Sequence, residues 1–194
     1  MTKNRLETIT DGVLAIVITI IVLELHVPET AGLAGLSESL PLIAAYAFTF
    51  IHIGIYWNNH HNLIHSVNRI DGSVLWANLG LLFWLSLFPF VIRWFAEAGL
   101  ASMPVAAFGA VLWLAAISYY FLVRALIRCN GPDSTVAKAV GRDSKGWVST
   151  LIYTVAIATA FLSPAVAVGL YAVVALIWLI PDRRFVRVAK DASG

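Results

Sequence analysis

The residues best suited to chemistry lie near the end of the second apolar segment, where residues 56–65 read YWNNHHNLIH. In a helix, Trp57, His61 and His65 share one face, and His60 lies about 100° away. Two histidines one turn apart can bind zinc or iron, but membrane metalloenzymes need further histidines or carboxylates from other helices. Because the sequence shows no second ligand set, we predict no metal site. His60 and His61 are expected to form hydrogen bonds at the helix end.

A second polar cluster lies at the start of the first apolar segment. This segment carries no charge between residues 12 and 23. An acid at the edge of such a segment needs a partner, so Asp11 marks a functional site with Arg5 as the expected partner. At about 100° of rotation per residue, one helix face forms a mostly aliphatic stripe. This stripe consists of Arg5, Ile9, Gly12, Ile16, Thr19, Ile20 and Leu23. We expect Asp11 to be buried on the opposite side, and the stripe to be either a packing face or the lining of a narrow pore.

Membrane-spanning helices must position these residues, because the chain is too apolar for a soluble protein. Hydrophobic residues make up 60% and charged residues 12% of its 194 residues, with a mean hydropathy of +0.83. Soluble domains approach about 25% charged residues. Apolar runs of roughly 20 residues fit six transmembrane helices in one all-α domain over residues 1–194, with Pro89 marking a kink or an end in the third. The spans are predicted near residues 8–25, 40–63, 72–95, 103–127, 146–162 and 165–180.

The placement of lysine and arginine orients these spans. Of the 13 basic residues, 12 fall on one side of the predicted membrane and only Arg93 on the other. The positive-inside rule then places both termini in the cytoplasm, in a protein of the cell membrane. The basic residues that follow the last span are Arg183, Arg184, Arg187 and Lys190. The net charge of +2 therefore reflects membrane topology, and no nucleic-acid partner is expected.

This topology brings the start of span one, the end of span two and the start of span three to the same cytoplasmic depth. A side-chain amide such as that of Asn78 needs hydrogen-bond partners in hydrocarbon. We predict one network there, formed by Arg5, Asp11, His60 or His61, Trp76 and Asn78. Spans four to six carry few polar groups and are predicted to be scaffold.

Residues 5–11, RLETITD, resemble the Arg-x-x-x-Phe-Ser-Asp signature of the transmembrane protein 175 family of potassium channels, found in lysosomes and bacteria. The family's other motif positions are matched by WNNHH at 57–61, WAN at 76–78 and FPF at 88–90. The sequence departs from the signature at Ile9, which lacks the aromatic ring, and at Thr10, which keeps the hydroxyl. The resemblance adds Thr10 to the predicted network.

The resemblance implies a cation channel without a carbonyl selectivity filter, in which span one of each subunit lines the pore. It places the narrow hydrophobic position at Ile16, the selectivity-related hydroxyl at Thr19 and further constrictions at Ile20 and Leu23. Helical periodicity already puts these residues on the stripe. The chain resembles the single-repeat bacterial members, which are homotetramers, so the expected partners are other copies of itself, the lipid bilayer, potassium and other monovalent cations. No cofactor is expected.

Physical principles are compatible with a pore. One helix face cannot enclose a pore, so several copies must bring their stripes together around an axis. A ring of Ile16 side chains would block ions unless it dilates, and the outer-mouth acid Glu24 would favour cations. We predict a channel and not an enzyme. The alternatives are a proton-permeable leak channel of the same fold, a small secondary transporter and a metalloenzyme built on the span-two histidines.

Overall fold

The structure is a computed structural model that describes residues 2–28, 30, 32–141 and 143–179. These residues form eight helices and no strands, so the all-α prediction is confirmed. The helices are α1 (Lys3–Leu23), α2 (Leu33–His65), α3 (Gly72–Leu85), α4 (Phe88–Ala98), α5 (Ser102–Asn130), α6 (Thr135–Val140), α7 (Ser144–Thr159) and α8 (Pro164–Leu179). The basic residues expected after the last span, Arg183, Arg184, Arg187 and Lys190, lie outside the described residues.

Four segments of the described chain are long and apolar enough to cross a bilayer: α1, α2, α3 together with α4, and α5. Helices α7 and α8 have 16 residues each. At about 1.5 Å per residue, such a helix is shorter than a hydrocarbon core of about 30 Å. The count of six spans therefore stays a prediction. Helix α6 is a short addition within the polar connection between α5 and α7.

The third predicted span is interrupted before Pro89. Helix α3 ends at Leu85 and α4 begins at Phe88, so Pro89 lies in the first turn of α4. Proline fits there because the first turn of a helix does not use its backbone N–H groups in intrahelical hydrogen bonds. The predicted kink or end at this residue is confirmed.

The start of α3 is fixed by side chains that bond to the backbone. The Asp71 carboxylate accepts hydrogen bonds from the Ser73 hydroxyl at 2.6 Å and from the Val74 N–H at 3.0 Å. These donors, the hydroxyl first, lower the pKa of Asp71 below its ordinary value. The Asn130 Oδ1 accepts from the backbone N–H groups of Asn68 and Arg69, at 3.1 and 3.0 Å. The α2–α3 connection is thus tied to the end of α5.

Helix α5 lies at the centre of the subunit, in contact with α3, α4, α7 and α8. Its Gly109 faces the fully buried ring of Tyr171 on α8, and a Cβ at Gly109 would overlap that ring. The Tyr171 hydroxyl donates to the Val105 carbonyl oxygen at 3.2 Å. Glycine at this position therefore lets α5 and α8 approach closely, as small residues do between membrane helices.

Helix α1 packs at the edge of this bundle, against α2, α3 and α4. One side of α1 supplies all of its buried residues, spaced three or four apart along the chain. They are Leu6, Thr10, Leu14, Val17 and Ile21. This packing face is separate from the stripe predicted from the sequence.

Candidate functional site

The α1 stripe lies on the surface of the subunit. Ile16 is 59% exposed and Leu23 81% exposed, and Ile9, Thr19 and Ile20 are exposed as well. Because α1 uses a different face to pack, the stripe is not a packing face within the subunit. Its apolar side chains are available to lipid, to a second copy of the chain or to the lining of a pore.

Thr19 carries the one side-chain hydroxyl of this stripe, and its Oγ1 oxygen remains available as an acceptor. The Thr19 hydroxyl donates to the Ile16 carbonyl oxygen in the preceding turn at 2.9 Å. Because the proton is used in this bond, the lone pairs of Oγ1 stay free as acceptors. Oxygen lone pairs are what a partly dehydrated cation needs.

A buried hydrogen-bonded chain links α1, α2 and α3. The Asn78 Nδ2 donates to the Thr10 Oγ1 at 3.0 Å, and the Asn78 Oδ1 lies 2.8 Å from the His60 Nε2. All three residues are buried. Since the amide nitrogen of Asn78 is directed at Thr10, its oxygen faces His60 and accepts a hydrogen bond from the His60 Nε2–H. The structure therefore brings Thr10, His60 and Asn78 together as predicted, with His60 rather than His61 as the histidine.

The structure corrects the expectation of a buried Arg5–Asp11 pair. Asp11 is exposed in the subunit and accepts a hydrogen bond from the Trp57 Nε1 at 2.9 Å. Arg5 is exposed and forms no ion pair among the described residues. Residues six apart on a helix point about 120° away from each other and lie about 9 Å apart along the axis. Neither side chain is on the packing face of α1, so burial does not bring them together.

Trp76 and His61 also lie outside the buried chain. Trp76 is 77% exposed, because it precedes Asn78 by two residues and points to roughly the opposite side of α3. Its predicted place in the network is wrong. His61 is exposed and stacks on Trp57, with 5.8 Å between ring centroids.

Glu24, the predicted outer-mouth acid, is paired. Its Oε2 lies 3.1 Å from the Arg93 Nη1, and the Arg93 Nε donates to the Glu97 Oε1 at 2.9 Å. The one basic residue assigned to the outer side thus meets the acid assigned to the same side. The group keeps one net negative charge, so it attracts cations less strongly than two free carboxylates would.

Two partners in this region were missed by the sequence analysis. Trp57 was placed on a helix face but not assigned to Asp11, and Glu7 was given no partner. The Glu7 Oε1 lies 3.4 Å from the His65 Nε2. The signal was available, because Glu7 lies one turn before Asp11 and topology brings the start of α1 to the end of α2.

Comparison with known proteins covers both the motif region and the whole chain. The sequence model of the family described as "Endosomal/lysosomal potassium channel TMEM175" matches residues 5–89. A protein of Chryseobacterium sp. named as a potassium channel is 50% identical over 191 residues, which are 98% of this chain and 100% of the relative. The chain belongs to the TMEM175 family.

Two further TMEM175 relatives match the chain. A bovine protein named "Endosomal/lysosomal proton channel TMEM175" is 33% identical over 99 residues, 45% of this chain and 20% of the bovine protein. The crystal structure of a TMEM175 homologue from Chamaesiphon minutus, titled a lysosomal potassium-selective channel, matches with a TM-score of 0.79 and 28% identity. That match covers 93% of this chain and 97% of the homologue.

TMEM175 proteins are ion channels, so the prediction of a membrane channel and not an enzyme is confirmed. The residues matched by the family model include the α1 stripe and the Thr10–Asn78–His60 chain, and stop in the first turn of α4. The secondary-transporter and metalloenzyme alternatives are therefore not retained.

Proposed function

We propose that this protein is a potassium-preferring cation channel in which the α1 stripes of four subunits surround a central pore. The observation that supports this most is the exposure of the stripe, because Ile16, Thr19 and Leu23 face away from their own subunit. A symmetric assembly brings identical faces together around one axis. The names of the Chryseobacterium relative and the Chamaesiphon structure support potassium as the ion.

We place this channel in the cell membrane with both termini in the cytoplasm. The bias of lysine and arginine supports this orientation. The Thr10–Asn78–His60 chain then lies at the cytoplasmic end of the pore helix, and the Glu24–Arg93–Glu97 group at the outer end. The pore would run between these two levels.

Ile16 forms the tightest constriction in this proposal, with Ile20 and Leu23 as further apolar levels towards the outside. A ring of branched aliphatic side chains excludes water and so blocks ions until it dilates. Such a gate discriminates by hydration and size. Discrimination among monovalent cations should therefore be modest, and Thr19 supplies the additional preference for potassium.

The buried Thr10–Asn78–His60 chain sets the rotation of α1. It contacts α1 on the packing face, while the Asp11–Trp57 hydrogen bond holds the same helix from the side. Together they turn the stripe away from the subunit. These residues act on the pore by positioning α1 and do not bind the ion.

Currents through purified protein in planar bilayers test the proposal. Under a potassium–sodium gradient, we expect single-channel openings and a reversal potential shifted towards that of potassium. Saturating flux without openings would contradict a channel mechanism. A pH gradient in the same recording tests the second candidate, a proton-permeable channel, which is favoured by the name of the bovine relative.

Replacing Thr19 by Val should weaken the preference for potassium without opening the Ile16 ring. Valine keeps the volume but removes the oxygen, and the loss of an interaction worth about 0.5–1.5 kcal/mol corresponds to a roughly twofold to tenfold lower permeability ratio. Reversal potentials provide the measurement. Thr159→Val is the matched control, because the Thr159 hydroxyl also bonds back to its own helix, at 2.8 Å to the Val155 carbonyl oxygen, but lies on α7 and not on α1. Equal shifts in both variants would contradict the role of Thr19.

A further inference from the structure

Three possible metal ligands meet where the start of α1 crosses the end of α2. Glu7 comes from α1, and His61 and His65 come from successive turns of α2. One ligand atom from each lies within 4.8 Å of the other two. The two imidazole rings are close, with 4.2 Å between their centroids. This cluster is separate from the buried Thr10–Asn78–His60 chain.

One oxygen of the Glu7 carboxylate has no hydrogen-bond donor among the described residues. This oxygen, Oε1, is buried, and the His65 Nε2 lies 3.4 Å from it. A buried carboxylate oxygen without a donor is costly. A cation between Glu7 and the two histidines would satisfy this oxygen.

The ligand types match a particular class of ion. Imidazole nitrogen with a carboxylate oxygen suits zinc and neighbouring divalent transition metals, and two histidines at i and i+4 bind from one helix face. Bonds of about 2.0–2.2 Å to one ion hold its ligand atoms roughly 3–4 Å apart. Since His61 and His65 are exposed, their side chains have room to close this distance, and an ion can enter from water. Trp57 already orients the His61 ring by stacking.

The prediction of no metal site rested on the absence of a ligand from another helix. Glu7 on α1 lies where such a ligand would be needed, within 4.8 Å of a nitrogen of each histidine. We propose that Glu7, His61 and His65 form a binding site for a divalent transition-metal ion of the Zn²⁺ class, with its remaining coordination positions filled by water. An ion bound there joins α1 to α2 one turn before the Asp11–Trp57 contact.

Zn²⁺ binding to the purified, chelator-treated protein tests the site directly. Competition with a chromophoric chelator should give about one Zn²⁺ per subunit, and Glu7→Gln and His65→Ala should each weaken binding at least roughly tenfold, or about 1.4 kcal/mol. His26→Ala, an exposed histidine in the loop after α1, is the control and should bind as the wild type does. Glu7→Gln keeps the side-chain size, and an unchanged gel-filtration profile shows that it is folded. Absent binding in the wild type, or unchanged binding in both cluster variants, would overturn the proposal.

The expected effect of Zn²⁺ on potassium transport rests on the proposed function and is measured separately. If the α1 helices must move for the Ile16 ring to dilate, Zn²⁺ that joins α1 to α2 should cause a loss of potassium flux in the wild type and none in Glu7→Gln. Stoichiometric binding with unchanged flux through an active channel would overturn this coupling. A protein that binds Zn²⁺ at these residues but passes no ion would support the metal site and contradict the proposed channel.

Discussion

Replacing Ile16 by Asn should raise potassium flux at least roughly tenfold and reduce discrimination between potassium and sodium. Four polar amides at the tightest level would keep water in the constriction and lower the barrier for a hydrated ion. A barrier lowered by about 1.4 kcal/mol gives a tenfold faster rate. Flux from potassium-loaded proteoliposomes gives the rate, and reversal potentials in bilayers give the selectivity.

Val22→Asn is the control for this experiment. Val22 is exposed on the same helix but points about 120° away from Ile16, off the stripe. The Val22→Asn substitution should leave potassium flux and selectivity near those of the wild type. If Ile16→Asn only reduced expression, with unchanged selectivity in the protein that remains, the stripe would face lipid or another helix and the pore assignment would fail.

Replacing Asn78 by Leu should produce the largest loss of stability. The substitution leaves two buried polar groups, on Thr10 and His60, without their partner. Each unsatisfied group costs about 1–3 kcal/mol, so the two together cost about 2–6 kcal/mol. At about 2–4 °C per kcal/mol for a chain of this size, the Tm should fall by roughly 4–24 °C. Because the chain joins three helices, flux should fall as α1 loses its orientation. Thermal unfolding of the detergent-solubilised protein, followed by gel filtration, measures the effect.

Asn62→Leu provides the comparison. Asn62 lies on α2, is half-buried, and its side chain forms no hydrogen bond among the described residues. Its replacement should change the Tm by far less than that of Asn78. Equal losses in the two variants would show that the Thr10–Asn78–His60 chain contributes little beyond side-chain volume.

Helical periodicity predicted much of this arrangement because it fixes the relative angles of residues on one helix. It placed Ile16, Thr19, Ile20 and Leu23 on one face, and all of them are exposed on that face in the structure. The break before Pro89 was also predictable, because proline restricts helix geometry locally. The motif segments at residues 5–11, 57–61, 76–78 and 88–90 also led to the TMEM175 family.

Periodicity could not show which sector of a helix faces its neighbours. Asp11 was expected to be buried because it lies away from the stripe, but α1 packs with a third sector that contains Leu6 and Leu14. Trp76 was grouped with Asn78 by depth in the membrane, although the two side chains point to different sides of α3. Depth alone predicts proximity along the membrane normal and not contact.

Contacts between helices were the least predictable part. The pairing of Glu7 with His65 depends on where α1 crosses α2, and the pairing of Glu24 with Arg93 depends on where α1 meets α4. Topology places each pair at a common depth in the membrane, but the local sequence does not show which side chains meet where the helices cross.

The most direct test of the central claim is Cd²⁺ block of an Ile16→Cys channel. Cys129 is the one cysteine of the chain, so the experiment uses a Cys129→Ser background. If four copies of residue 16 surround the pore axis, their thiolates form a soft-ligand ring, and micromolar Cd²⁺ should block potassium flux in Ile16→Cys but not in Val22→Cys. Flux that is insensitive to Cd²⁺ in Ile16→Cys, or equally sensitive in both variants, would contradict a pore lined by the α1 stripe.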